Sequence, residues 1–228
     1  MFSNLKNFET EGFSMKKLFL NPNVSVGPFV FGTEQKEMWK IMKKEFGSER
    51  ELPVFESEDY QNPHVQLEYI DHKLISVTFI DDIRERYCEI YLGKEKIWPR
   101  TEKKFLSIFG RDSFVEVHGS YYHTEFSIAV GWDDNPHSLT IGQKGYCSEI
   151  VENYQLFDTV LNMKKGMNRN DCRMLINRIP VVSDDGKTDH YLHGVIRPEK
   201  ISLTYDSRNK LVKLIKTFPD GEIIDFFG

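Results

Sequence analysis

The first long amphipathic stretch of the chain runs from Thr33 to Phe46, where Met38, Trp39, Ile41, Met42 and Phe46 form an apolar stripe among charged residues. Thr33 stands where an N-cap is expected and Gly47 where a helix ends, so the pattern predicts a helix. A polar, acidic link over 48–63 leads to three strand-like runs: Val65 to Tyr69, Leu74 to Ile80 and Arg86 to Gly93. The turn Asp71-His72-Lys73 joins the first two as a hairpin. Thr101 to Phe109, preceded by Pro99 and stopped by Gly110, is expected to be a second helix. Ser113 to His118, Thr124 to Trp132 and Ser138 to Gly142 read as further strands, parted by Gly119-Ser120 and Asp133-Asp134-Asn135-Pro136. A third helix is expected from Asn168, carrying Cys172, Leu175, Ile176 and Ile179 on one face before Pro180. Ile201 to Tyr205 and Leu211 to Phe218 then make a hairpin, and Glu222 to Phe227 a last strand.

The two ends of the chain share a pattern. The segments from Phe31 and from Lys165 each place a glycine just before an amphipathic helix, and each is followed by Leu-x-Tyr, a polar turn, Lys and Leu. Gly32 lies 35 residues before Leu67, and Gly166 lies 37 before Leu203. A period of this length predicts a duplicated packing unit with one helix across one face of an antiparallel sheet. The expected fold is therefore α+β: tandem modules of a helix plus an antiparallel hairpin or meander, packed as helix-on-sheet layers. The expected division is an extension over 1–20, the first module or modules over 21–150 and a C-terminal module over 151–228.

Charge and composition narrow the function. The formal charge of the 228 residues is −5, with Lys and Arg scattered among Asp and Glu. Without a basic cluster the chain lacks the footprint of a nucleic-acid binder, and its mild acidity favours a basic partner. Three cysteines with no short spacing suggest buried thiols, with neither a disulfide framework nor a metal site. The apolar run in Met15 to Leu20 ends at Asn21-Pro22-Asn23, too short for an export signal or a membrane span. A cytoplasmic protein with no membrane contact is the expectation.

No nucleophile elbow, phosphate-binding loop or metal-ligand spacing occurs, so no catalytic residue, metal or cofactor is expected. His118 and His123 flank a turn and read as solvated; a hydrolase using them with Asp133 is the alternative enzyme reading. Recognition residues are easier to name. Strand alternation projects Tyr87, Glu89 and Tyr91 away from the face carrying Cys88, Ile90 and Leu92. Gln66 and Glu68, Ser76 and Thr78, and Phe114, Glu116 and His118 are expected to continue that surface, and Trp132, Asp133 and Asp134 are further expected protein-binding residues. Tyrosines next to carboxylates suit protein recognition, since they bury large area at small rotamer cost. Acidic pairs in predicted loops, Glu56/Glu58/Asp59, Asp81/Asp82, Asp133/Asp134 and Asp184/Asp185, would steer a basic protein if they converged.

The stretch from Val26 to Met42, VGPFVFGTEQKEMWKIM, resembles the opening of bacterial immunity-type proteins, in which a Gly-Pro-Phe-x-Phe-Gly turn leads into a helix and a hairpin sheet. Gly166 to Leu214 is similar to the module of BamE/SmpA-type lipoproteins and of β-lactamase-inhibitor-protein-like domains. This resemblance implies tandem helix-plus-sheet modules that bind proteins through an open sheet face. It also implies an immunity protein that occludes a cognate toxin; a non-toxin adaptor of the same fold is the other binding reading. The expected lack of an export signal and lipid-bearing cysteine separates the chain from the lipoproteins.

Overall fold

The computed structural model describes residues 16–46, 65–81, 88–131, 137–177, 179, 181–194, 196, 198–218 and 221–228. Among the described residues, strands alternate with four α-helices. The described residues open with β1 (Lys16–Asn21), β2 (Ser25–Val26) and β3 (Phe29–Val30), followed by α1 (Gln35–Phe46), β4 (Val65–Ile70) and β5 (Lys73–Asp81). Next come β6 (Cys88–Leu92), β7 (Glu95–Trp98), α2 (Glu102–Phe109), β8 (Val115–Val117), β9 (Ser120–His123), β10 (Ile128–Gly131) and β11 (His137–Gly142). The last third holds α3 (Tyr146–Leu161), α4 (Arg169–Leu175), β12 (Val181–Asp184), β13 (Thr188–His193), β14 (Glu199–Tyr205), β15 (Leu211–Thr217) and β16 (Ile223–Asp225).

The strands form three sheets, and the fold is α+β as the sequence predicts. The first sheet has the order β3-β2-β1-β6-β7, the second β4-β5-β11-β10-β9-β8 and the third β12-β13-β14-β15-β16. Among the described strand pairs only β1 and β6 run parallel. Lys16–Asn21, which begins inside the expected extension over 1–20, is the central strand of the first sheet, with Leu18 and Leu20 buried.

Alternation places Val65, Leu67, Val77, Phe79, Leu139, Ile141, Ile128 and Val130 on one face of the second sheet. They join Met38 and Met42 of α1 and Leu18, Leu20 and Ile90 of the first sheet in one core. Of the predicted stripe of α1, Met38 and Met42 are buried and Ile41 packs against the same core, while Trp39 is exposed. The third sheet has its own core, where Ile201, Leu203, Tyr205, Leu211 and Leu214 meet Cys172 and Ile176 near α4 and Leu156 and Val160 of α3. Asp189 of β13 is fully buried there, accepting from Arg173 (Nε 2.8 Å, Nη2 2.6 Å) and from Arg169. Burial opposes its ionisation, but the two guanidinium groups outweigh that and hold the carboxyl down to about 2.

α3 lies in a stretch for which the pattern predicts no element. Its first half places Tyr146, Cys147 and Val151 over the second sheet against Ile75, Tyr122 and Ala129, while its second half enters the third-sheet core. The outer face of the second sheet, expected to be open, is thus covered in part by the molecule's own helix. The expected boundary at residue 150 falls inside that helix. Gly142 explains the close approach: a Cβ there would lie 2.4 Å from Tyr146 Cγ.

One set of contacts occurs at both ends of the chain. Gly32 donates to the Leu74 carbonyl (2.8 Å), Leu74 to Thr33 (2.9 Å) and Gln35 to His72 (2.8 Å). Gly166 donates to Leu211 (2.7 Å), Leu211 to Met167 (2.8 Å) and Arg169 to Asn209 (3.0 Å). Both glycines have positive φ, 84° and 88°, which favours glycine at that position. Each hairpin also carries a bulge at the same place, between Glu68 and Tyr69 and between Thr204 and Tyr205, so Ile75 and Val212 are the extra residues.

Candidate protein-binding face

The first sheet carries the face best suited to recognition. In β1 the buried Leu18 and Leu20 alternate with Lys17, Phe19 and Asn21, and the parallel register sets Phe19 beside Tyr91 and Lys17 beside Glu89. Phe19 is 59% exposed, and its ring centroid lies 5.8 Å from that of Tyr91. Lys17 Nζ stands 5.7 Å from the Tyr91 centroid, a cation over an aromatic face. Ser25 and Val30 extend the same side through β2 and β3, and Val30 is also exposed.

Polar contacts hold this surface in one arrangement. The Tyr91 hydroxyl donates to Glu89 Oε2 (2.7 Å), and Lys96 Nζ donates to Glu89 Oε1 (2.9 Å). The hydrogen bond from Tyr91, followed by that from Lys96, holds the Glu89 carboxyl below its ordinary value; the same Glu89 contact raises the Tyr91 phenol. With both oxygens engaged, Glu89 is a poor proton acceptor for chemistry. An aromatic pair whose tyrosine is already tied in place loses less conformational freedom on binding.

The other expected residues separate. Glu68 lies on the second sheet under α3, accepting from Ser76 Oγ and Tyr146 Oη, each at 2.7 Å. Its place beside Glu89 and Tyr91 is corrected by the sheet order, since β4 and β6 belong to different sheets. Glu116 is exposed on β8, opposite Tyr121 on the other face of the second sheet, and Phe114 packs on the main core. Tyr87, Trp132, Asp133 and Asp134 lie outside the described residues, as do Glu56, Glu58, Asp59 and Asp82. Asp185 accepts the turn amides of Lys187 (2.9 Å) and Thr188 (2.6 Å).

His118 and His123 also part. His118 sits in the β8–β9 turn with its ring 5.1 Å from that of Tyr154. His123 is buried, not solvated as expected: it stacks on Phe126 at 4.7 Å and meets Phe109 and Phe114 edge-on. Its Nδ1 accepts the Phe126 amide at 3.3 Å, and burial pushes the imidazole below its ordinary value. Among the described residues no three His, Cys, Asp or Glu side chains are placed to hold a metal ion. Cys88, Cys147 and Cys172 are buried, and burial raises the last two thiols, which leaves them protonated and shielded.

Phe19, Lys17, Lys96 and Val30 are absent from the sequence-based set. Burial alternates through β1, but in the sequence Leu18-Phe19-Leu20 is a short continuous apolar run, which does not by itself tell which of the three side chains faces outward. No helix among the described residues is long and apolar enough to cross a membrane. No protein-family model, curated protein or solved structure matches the chain.

Proposed function

We propose that this chain is a cytoplasmic protein-binding protein, an immunity protein that inhibits a cognate bacterial toxin by occluding it, and that it acts by binding and not by catalysis. The observation that carries the reading is the open Phe19–Tyr91 face, an exposed aromatic pair braced by Glu89, Lys17 and Lys96 on a sheet whose other side is core. Aromatic anchors of this kind supply most of the energy of protein interfaces when a partner removes them from water. The twin hydrogen-bond sets at Gly32 and Gly166 support a duplicated helix-plus-hairpin unit, the architecture implied by the immunity-type resemblance.

Local charge changes the picture of the partner. Lys17 and Lys96 accompany Glu89, so the face is not acidic and selects for aromatic and mixed-charge contacts. The test is co-purification with the toxin-like product of the neighbouring gene, followed by assay of the toxin's own activity. A stable complex that silences the toxin is expected. Full toxin activity at saturating concentrations of the chain, with no complex, would overturn the proposal.

A further inference from the structure

The matched hairpins β4–β5 and β14–β15 differ in what covers their outer side. In the second sheet the bulged Ile75 and its neighbour Ser76 are 3% and 1% exposed, because α3 lies on them. Their counterparts in the third sheet, Val212 and Lys213, are exposed, and Val212 alone is 36% open. The same side carries Leu192 and Ile223 at 51% and 61% exposure, and register places Ile215 there beside Asp225. Polar cross-strand pairs, Thr188 with Thr204 (3.3 Å) and His190 with Ser202 (2.9 Å), fill the centre.

We infer that this outer face of the third sheet receives an acidic amphipathic helix from a protein partner, seated as α3 is seated on the second sheet. The occupant's chemistry follows from the exchanged residues. On the second sheet Tyr146 of α3 donates to Glu68, which Ser76 also supports. Thr204 holds the place of Glu68 in the third sheet and Lys213 the place of Ser76, so the carboxylate that receives α3 is replaced by a hydroxyl and the serine beside it by a cation, for which a carboxylate on the incoming helix is the match. Lys200 adds a second cation, and Lys213 has a 3.7 Å ion pair with Asp225. α3 itself is a helix of this kind: Glu149, Glu152 and Asp158 are its charged residues, and it has no Lys, Arg or His. The apolar contacts offered are Val212, Ile215 and Ile223.

A fluorescein-labelled synthetic peptide with the sequence of residues 145–162 is the probe, titrated into the full chain by anisotropy, with backbone amide exchange locating the contact. Saturable binding is expected, with protection on β15 and β16 and at least about tenfold weaker affinity for Lys213→Glu and for Val212→Asp. Phe19→Ala should bind the peptide as wild type does, which separates this face from the one on the first sheet. A scrambled peptide of equal charge should not bind. Absence of saturable binding, protection appearing on β5 instead of β15, or unchanged affinity for Lys213→Glu in a folded variant would each overturn the inference.

Discussion

Tyr146 donates a 2.7 Å hydrogen bond to Glu68, 78 residues earlier in the chain, and so ties α3 to the outer face of the second sheet. Because the bond ends on a carboxylate in a half-buried site, Tyr146→Phe should cost about 1–2 kcal/mol of stability in urea unfolding. Gly142→Ala should cost at least as much, since the new methyl would meet the Tyr146 ring and displace the helix. Unchanged unfolding midpoints for both variants would mean that α3 is not held there.

The buried Asp189 with its two arginines predicts acid sensitivity of the third sheet. Its folded-state carboxyl is depressed to about 2, below the ordinary unfolded value near 4, so its contribution is complete above about pH 4 and is lost as the pH falls through about 2. That contribution is on the order of 2 kcal/mol. Asp189→Asn should remove about 3 kcal/mol at neutral pH, by leaving two guanidinium groups poorly paired, and should flatten the acid slope. Urea midpoints measured between pH 7 and pH 2 check both outcomes.

His123 acts in a different window. Its folded-state value lies below the unfolded one, so the unfolded chain takes up a proton that the folded chain resists. The sign is therefore a stability that is full above about pH 6.5 and falls with acid from there. His123→Phe should be less stable at pH 8, where the Phe126 amide loses its acceptor, yet should show a smaller decline between pH 7 and pH 5. Equal slopes for the two proteins would show that the imidazole titrates freely.

Local elements were legible where period and punctuation agreed. The β4–β5 hairpin showed because Val65, Leu67 and Tyr69 alternate up to Asp71 and His72, which adopt the positive φ that a tight turn needs. α4 showed because Asn168 caps it, accepting from the Asn170 amide at 3.0 Å. α3 did not, for two physical reasons: Gly145 precedes it without a side-chain cap, and its apolar residues divide between two cores, which blurs any single stripe. Glu89 and Tyr91 were placed on one face by alternation alone, but no local pattern tells which sheet a strand joins. The parallel pairing of β1 with β6 put Phe19 beside Tyr91 and left Glu68 elsewhere.

Phe19 is the residue on which recognition and folding separate most cleanly. Its side chain is largely exposed, so Phe19→Ala should shift stability by no more than about 0.5 kcal/mol. Calorimetric titration of the cognate toxin into wild type and into Phe19→Ala tests the binding role directly. The predicted result is a saturable complex for wild type and at least about 30-fold weaker binding for the variant, the loss of one aromatic hot spot. Equal affinities for the two proteins would contradict the assignment of this face.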